Sequence, residues 1–256
     1  MLRNISDLED YAICATDGAI GHVKDFYFDD ETWVIRYFIV ETGNWLLSQK
    51  VLISPIAIGQ PNWAKKELPV SITKEQVKDS PDIDTEKPVS RQNEISHLGY
   101  YGYPYYWGGA DLWGNGAYPS MMMTGYFASA PSAAQQETVI ANTLTEAEQH
   151  QDDDIHLRSF KEVVSYHIQA TDGEIGHVQG MLVDEETWAV HYLIVDTSNW
   201  WLGHQVLIAP KWITNVNWSD NAVSVNLTRQ ALKDAPPYDS TAQLDREQDM
   251  GIHLGY

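Results

Sequence analysis

Alternation and short apolar runs divide the chain into extended segments. Tyr11-Ala12-Ile13-Cys14-Ala15 predicts a first strand, Thr16-Asp17-Gly18 a turn, and Ile20 to Phe28 a second strand. Gly21 inside that strand predicts a bulge or a close backbone approach. After the acidic turn Asp29-Asp30-Glu31-Thr32, the run Trp33 to Glu41 is dense in β-branched and aromatic residues on both faces. It is expected to be the longest strand. Lys50-Val51-Leu52-Ile53 predicts another, stopped at Pro55, and Glu67 to Ile72 a last one. Thr73 and Gln76 stand at the positions of a capping box, so a short helix follows and ends before Pro81. Short strands punctuated by turn signals predict a small antiparallel barrel or sandwich, and closure would hide the apolar edges.

The same pattern is written twice. Thr16-Asp17-Gly18-Ala19-Ile20-Gly21-His22-Val23 returns as Thr171-Asp172-Gly173-Glu174-Ile175-Gly176-His177-Val178, an offset of 155 residues. At that offset Trp33 meets Trp188, Asn44-Trp45 meets Asn199-Trp200, Val51-Leu52-Ile53 meets Val206-Leu207-Ile208, and Trp63 meets Trp218. The match runs without a gap from Leu2-Arg3 and Leu157-Arg158 to Pro81 and Pro236. Solenoid repeats have periods of roughly 20–50 residues, so this spacing implies a duplicated domain. The expected organisation is residues 1–88, a linker 89–155, and residues 156–256, with the two copies packed together as a fused homodimer.

Charge and composition narrow the function classes. The chain of 256 residues has 36 acidic and 16 basic side chains, a formal net charge of −20. Such a field repels phosphate backbones and anionic headgroups, which argues against nucleic-acid binding. The one cysteine, Cys14, aligns with Gln169 and fits a reducing compartment. No apolar run reaches the ~18–20 residues of a membrane helix, so no direct membrane insertion and a cytoplasmic location are expected. The linker begins differently. From His97 it is rich in Gly and aromatics, including Tyr101, Tyr103, Tyr105, Tyr106, Trp107 and Trp113, and then turns polar and acidic. Disordered linkers are poor in aromatics. These six residues are the candidate interaction site, either capping the barrels or meeting another chain.

Taken as a set, the motifs resemble the PRC-barrel family. They are Asp17-Gly18-x-x-Gly21-x-Val23, the acidic turn before Trp33, Arg36 to Thr42, Trp45-Leu46, Val51 to Pro55, and Ser80-Pro81. Arg91-x-x-Glu94 leading to Tyr105-Tyr106-Trp107-Gly108-Gly109 resembles the tail of bacterial stand-alone members. The resemblance implies a mostly β fold of two small antiparallel barrels in tandem, each of about six strands and a short helix. It also implies protein contacts. The family includes the cytoplasmic domain of the photosynthetic reaction-centre H subunit, so a role as an accessory of a photosynthetic or electron-transfer membrane complex is an alternative.

Candidate chemistry is sparse. His22 and His177 occupy equivalent positions, but Asp25 beside the first is replaced by Gly180 beside the second. His97 and His253 recur in aromatic stretches, and His191 stands where Arg36 stood. The acidic turns Asp29-Asp30-Glu31 and Asp184-Glu185-Glu186 lack the spacing and glycine of a calcium loop. There is no nucleophile elbow, phosphate loop or zinc motif. The expectation is a non-enzymatic interaction or scaffold module with no catalytic, cofactor or metal residues. Metal or small-molecule binding is a further alternative.

Overall fold

The computed structural model describes residues 1–81, 89–107, 109–122, 156–197 and 204–239. Trp200, His253 and the second half of the linker, 123–155, lie outside them. The described residues are mostly β, in two sheets with few short helices. Two compact units divide the chain: Leu8–Ser159, and Met1–Asp7 together with Phe160–Tyr256.

Strand β1 (Leu2–Asn4) belongs to the second of these units and is taken up with it below. The unit Leu8–Ser159 contains β2 (Ala12–Ala15), β3 (Gly18–Asp29), β4 (Val34–Thr42), β5 (Lys50–Ile53) and β6 (Glu67–Pro69), ordered β5-β4-β3-β2-β6. β7 (Leu157–Ser159) adds to β3 beyond the end of β2, pairing Tyr27 with Ser159 and Asp29 with Leu157. The longest strand of this unit is β3, with 12 residues, rather than the run after Trp33, because β3 serves β2, β4 and β7 in turn. Trp33 itself sits at φ 55° in the turn.

Consecutive residues of β3 and β4 face opposite ways. Phe26 and Phe38 meet edge-on at 5.1 Å on one face. On the other, Tyr27, Tyr37, Ile39, Leu52, Val89 and Leu157 form a buried cluster. Both faces are covered, which is why apolar residues fill β4 without alternating.

Gly21 is dictated by the backbone of β4. A Cβ there would stand 2.0 Å from the Glu41 carbonyl oxygen, and one at Gly176 would stand 2.0 Å from that of Asp196. The predicted close approach is present in both units. Helix α1 (Lys74–Lys78) has the expected capping box: Thr73 Oγ1 accepts from the Gln76 amide, and Gln76 Oε1 accepts from the Thr73 amide. Helix α2 (Arg91–Tyr101) follows, with Ser90 as its cap and Gly102 ending it at φ 69°.

The second unit joins β1 to β8 (His167–Ala170), β9 (Gly173–Asp184), β10 (Val190–Asp196), β11 (Gln205–Ile208), β12 (Ile213–Asn217) and β13 (Ala222–Val225). Their order is β11-β10-β9-β8-β13-β12, with β1 on β9. Leu2 packs with Leu182, Tyr192, Ile194, Leu207 and Ala209, and Trp212 and Tyr238 cover them. Helices α3 (Phe160–Val163) and α4 (Arg229–Asp234) complete the unit, with Thr228 capping α4.

Two expectations change. The barrels are not closed by strand ladders, since β5 and β6 end one path and β11 and β12 end the other. Prolines account for part of this: Pro55 and Pro210 turn the chain into 3-10 segments after β5 and β11, and Pro69 in β6 has no amide to donate. Nor is the pairing wholly antiparallel, because β2–β6 and β8–β13 run parallel. These partners are joined by long excursions, not hairpins, so no tight turn imposes opposite directions.

Candidate functional site

A buried cluster of ionisable groups lies in the unit Leu8–Ser159, where the aromatic segment meets β3 and β4. Glu94, on the inward side of α2, is fully buried at 0% exposure. Tyr106 Oη donates to its Oε1 at 2.6 Å, and Arg91 Nη1 donates to its Oε2 at 3.0 Å. His156 Nε2 completes the shell, 2.7 Å from Oε2. A buried carboxylate needs such partners, because removing a charge from water costs several kcal/mol.

Electrostatics follow from this geometry. Burial alone would push the Glu94 carboxyl up, but the bond from His156, its charge and Arg91 outweigh burial and hold it below the usual carboxylate range. Burial would lower His156, yet the bond to Glu94 and its charge raise it. Each partner thus favours the charged form of the other. Tyr106, buried against this carboxylate, is pushed well above the ordinary phenol value.

Arg36 forms the second half of the cluster. It projects from β4, 2% exposed, with its guanidinium carbon 3.8 Å from the centre of the Tyr106 ring and 4.8 Å from that of Trp113. Its Nη1 donates to the Leu112 carbonyl at 2.7 Å and its Nη2 to Thr32 Oγ1 at 3.0 Å. Asp29 Oδ2 lies 3.5 Å from Nη2, while its Oδ1 accepts from the Glu31 and Thr32 amides. The acidic turn is thus organised by its buried first aspartate. Asp184 does the same for Glu186 and Thr187.

His97 takes a separate part. Its Nε2 donates to the Leu52 carbonyl at 3.1 Å and its ring meets Tyr37 edge-on at 5.3 Å. Nδ1 is buried without a hydrogen-bond partner among the described residues. Burial lowers this histidine to about 4, so it stays neutral.

The six aromatic candidates divide accordingly. Tyr103, Tyr106 and Trp113 are buried, and Tyr101, Tyr105 and Trp107 are half-buried. Tyr101 stacks on Tyr103 at 5.4 Å, and Tyr105 stacks on Trp107 at 4.8 Å. Trp107 also lies 4.2 Å from the Arg91 guanidinium carbon. Burial pushes the Tyr101 phenol up to about 12.

Other sequence candidates stay apart from this cluster. His22 is exposed, and His177 Nε2 is 3.9 Å from Asp196 Oδ2. Cys14 is free and half-buried, and burial raises its thiol. Among the described residues no group of three or more His, Cys, Asp or Glu is placed to hold a metal ion. Nor is any helix among them long and apolar enough to cross a membrane. In the sequence, Arg91-x-x-Glu94 is visible as a motif but its burial is not, and His156, at the start of the segment 156–256, carries no mark of a shared site. Only the spacing of Arg91 and Glu94, one helical turn apart, signalled a shared face.

The arrangement is closed. Its charges are spent on each other, and what it does chemically is clamp the aromatic segment onto the sheet. Comparison with known proteins agrees on the scaffold. An uncharacterised protein of Deinococcus radiodurans is 35% identical over 86 residues, covering 29% of this chain and 31% of the relative. The chain thus spans less than a third of that protein's length. The family model of the PRC-barrel domain matches residues 2–77, from β1 into α1. That segment of the chain is a PRC-barrel domain.

Proposed function

We propose that the protein is a non-catalytic interaction module, built from an internally duplicated PRC-type barrel, that presents an aromatic face to a protein partner in a reducing compartment. One observation carries this reading: the inner aromatics Tyr106 and Trp113 are clamped around Arg36, while Tyr105 and Trp107 keep part of their surface outward and Tyr100 is 41% exposed. Held rings lose little side-chain entropy on binding, which makes them effective anchors. The net charge of −20 favours a partner bearing Arg or Lys beside apolar side chains, since guanidinium and ammonium groups also pair with ring faces.

The test is affinity capture with the full chain and with a Tyr100→Ser/Tyr105→Ser variant, neither residue belonging to the Glu94 shell. The native chain is expected to retain a defined partner whose binding weakens at high salt, and the variant to lose it. Identical captured proteins from both chains would remove the aromatic face from the reading. A turnover by the native chain that survives both substitutions would replace the reading with an enzymatic one.

A further inference from the structure

The two short strands β1 and β7 dock in matching ways on opposite partners. β1 pairs Leu2 with Asp184 and Asn4 with Leu182 on β9. β7 pairs Leu157 with Asp29 and Ser159 with Tyr27 on β3. Shifted by 155 residues, these are the same register, yet each strand lies on the sheet of the other repeat. Leu2 and Leu157 enter equivalent apolar clusters, and Arg3 and Arg158 pair with Glu185 and Asp30. Those features are shared, so they cannot tell one strand from the other.

The third residue can. It reaches diagonally to the position two residues along the long strand, within side-chain range. In one unit Asn4 meets Gly180; in the other Ser159 Oγ donates to Asp25 Oδ2 at 2.5 Å. Asn4 is held in place, since its Oδ1 accepts from the Ser6 amide at 3.1 Å. A Cβ at position 180 would already lie 3.2 Å from that oxygen. Ile194 Cδ1 and Asn4 Nδ2 stand 3.4 and 3.6 Å from the same point, so an aspartate side chain, extending further, would collide with the Asn4 carboxamide and Ile194. The converse exchange fails for another reason: Ser159 facing Gly180 would lose the acceptor that Asp25 supplies.

We infer that Gly180 and Asp25 are specificity-determining residues of two strand-docking edges. The edge with Gly180 takes a Leu-Arg-Asn strand and the edge with Asp25 takes a Leu-Arg-Ser strand. Each edge thereby rejects the leading strand of its own repeat and accepts that of the other, whether from the same chain or from a second copy.

Cysteine pairs in a full-length Cys14→Ala background read the docking directly. Arg3→Cys with Glu185→Cys reports β1 on β9, and Arg3→Cys with Asp30→Cys reports β1 on its own repeat. The first pair is expected to cross-link under mild oxidation and the second to remain reduced. Adding Gly180→Asp to the first pair should reduce its cross-linking rate at least tenfold, and adding Asn4→Ser as well should restore most of it. Equal cross-linking by both pairs in the unsubstituted docking edges overturns the inference. So does failure of Asn4→Ser to rescue Gly180→Asp, including the case in which Gly180→Asp unfolds and the double substitution does not refold it.

Discussion

Glu94 shows how much one side chain can be asked to hold. Its carboxylate accepts from Tyr106 and Arg91 and pairs with His156, residues that come from three stretches of chain. Replacing it with Gln takes away the carboxylate that pairs with buried His156 and half-buried Arg91. The expected loss is ~3–5 kcal/mol of unfolding free energy, the usual cost of breaking a buried pair, measured by urea denaturation. Tyr106→Phe should cost less, about 1–3 kcal/mol, because one donor to a charged group is removed while the ring over Arg36 remains. The two histidines predict the pH profile. His97 is lowered to about 4 by burial, so its contribution is present above its unfolded value of ~6.5 and is lost as pH falls toward 4, on the order of 3 kcal/mol in all. His156 is raised by Glu94, so its contribution is present below ~6.5 and is lost as pH rises through its folded value. Stability should therefore peak near pH ~6.5. His97→Phe should flatten the acid side and His156→Gln the alkaline side of denaturation midpoints measured against pH.

Among the elements, those with a local chemical cause were legible. The Thr-Asp-Gly turns, the capping box and the crowded glycine each follow from neighbours in sequence, and each is found. Gly21→Ala is expected to lower stability by at least the ~1–3 kcal/mol of an overpacked core, because the obstacle is backbone and cannot swing aside. Thermal unfolding of Gly21→Ala and Gly176→Ala should show similar drops. Helix α2 was not legible, because Gly99 and its run of tyrosines read as loop. Its Ser90 cap, accepting from the Asn93 amide, was the available signal. Nor did β1 and β7 stand out. Three residues give no period, and nothing in Leu-Arg-Asn says which sheet edge it will fill.

For the whole molecule, the recurrence of sequence was plain but the route of the chain was not. Each compact unit contains residues from both repeats, because Met1–Asp7 groups with Phe160–Tyr256 and Leu157–Ser159 stays with the first repeat. A protease site engineered within 123–155 should therefore leave two fragments that still co-elute on size exclusion, and separate only in denaturant. Fragments that part under native conditions would show that these short strands contribute little to holding each unit together.

Strand exchange also imposes a timetable on biosynthesis. The edge of β3 at Tyr27–Asp29 stays unfilled until Ser159 has emerged, although the preceding strands end at Pro69. At ~5–20 residues per second that interval lasts roughly 4–18 s, during which an apolar sheet edge is open to neighbouring nascent chains. The excess of acidic side chains makes such unfinished chains repel one another during that interval. Neutralising a set of exposed Asp and Glu should raise aggregation during cell-free translation more than it does for the finished protein.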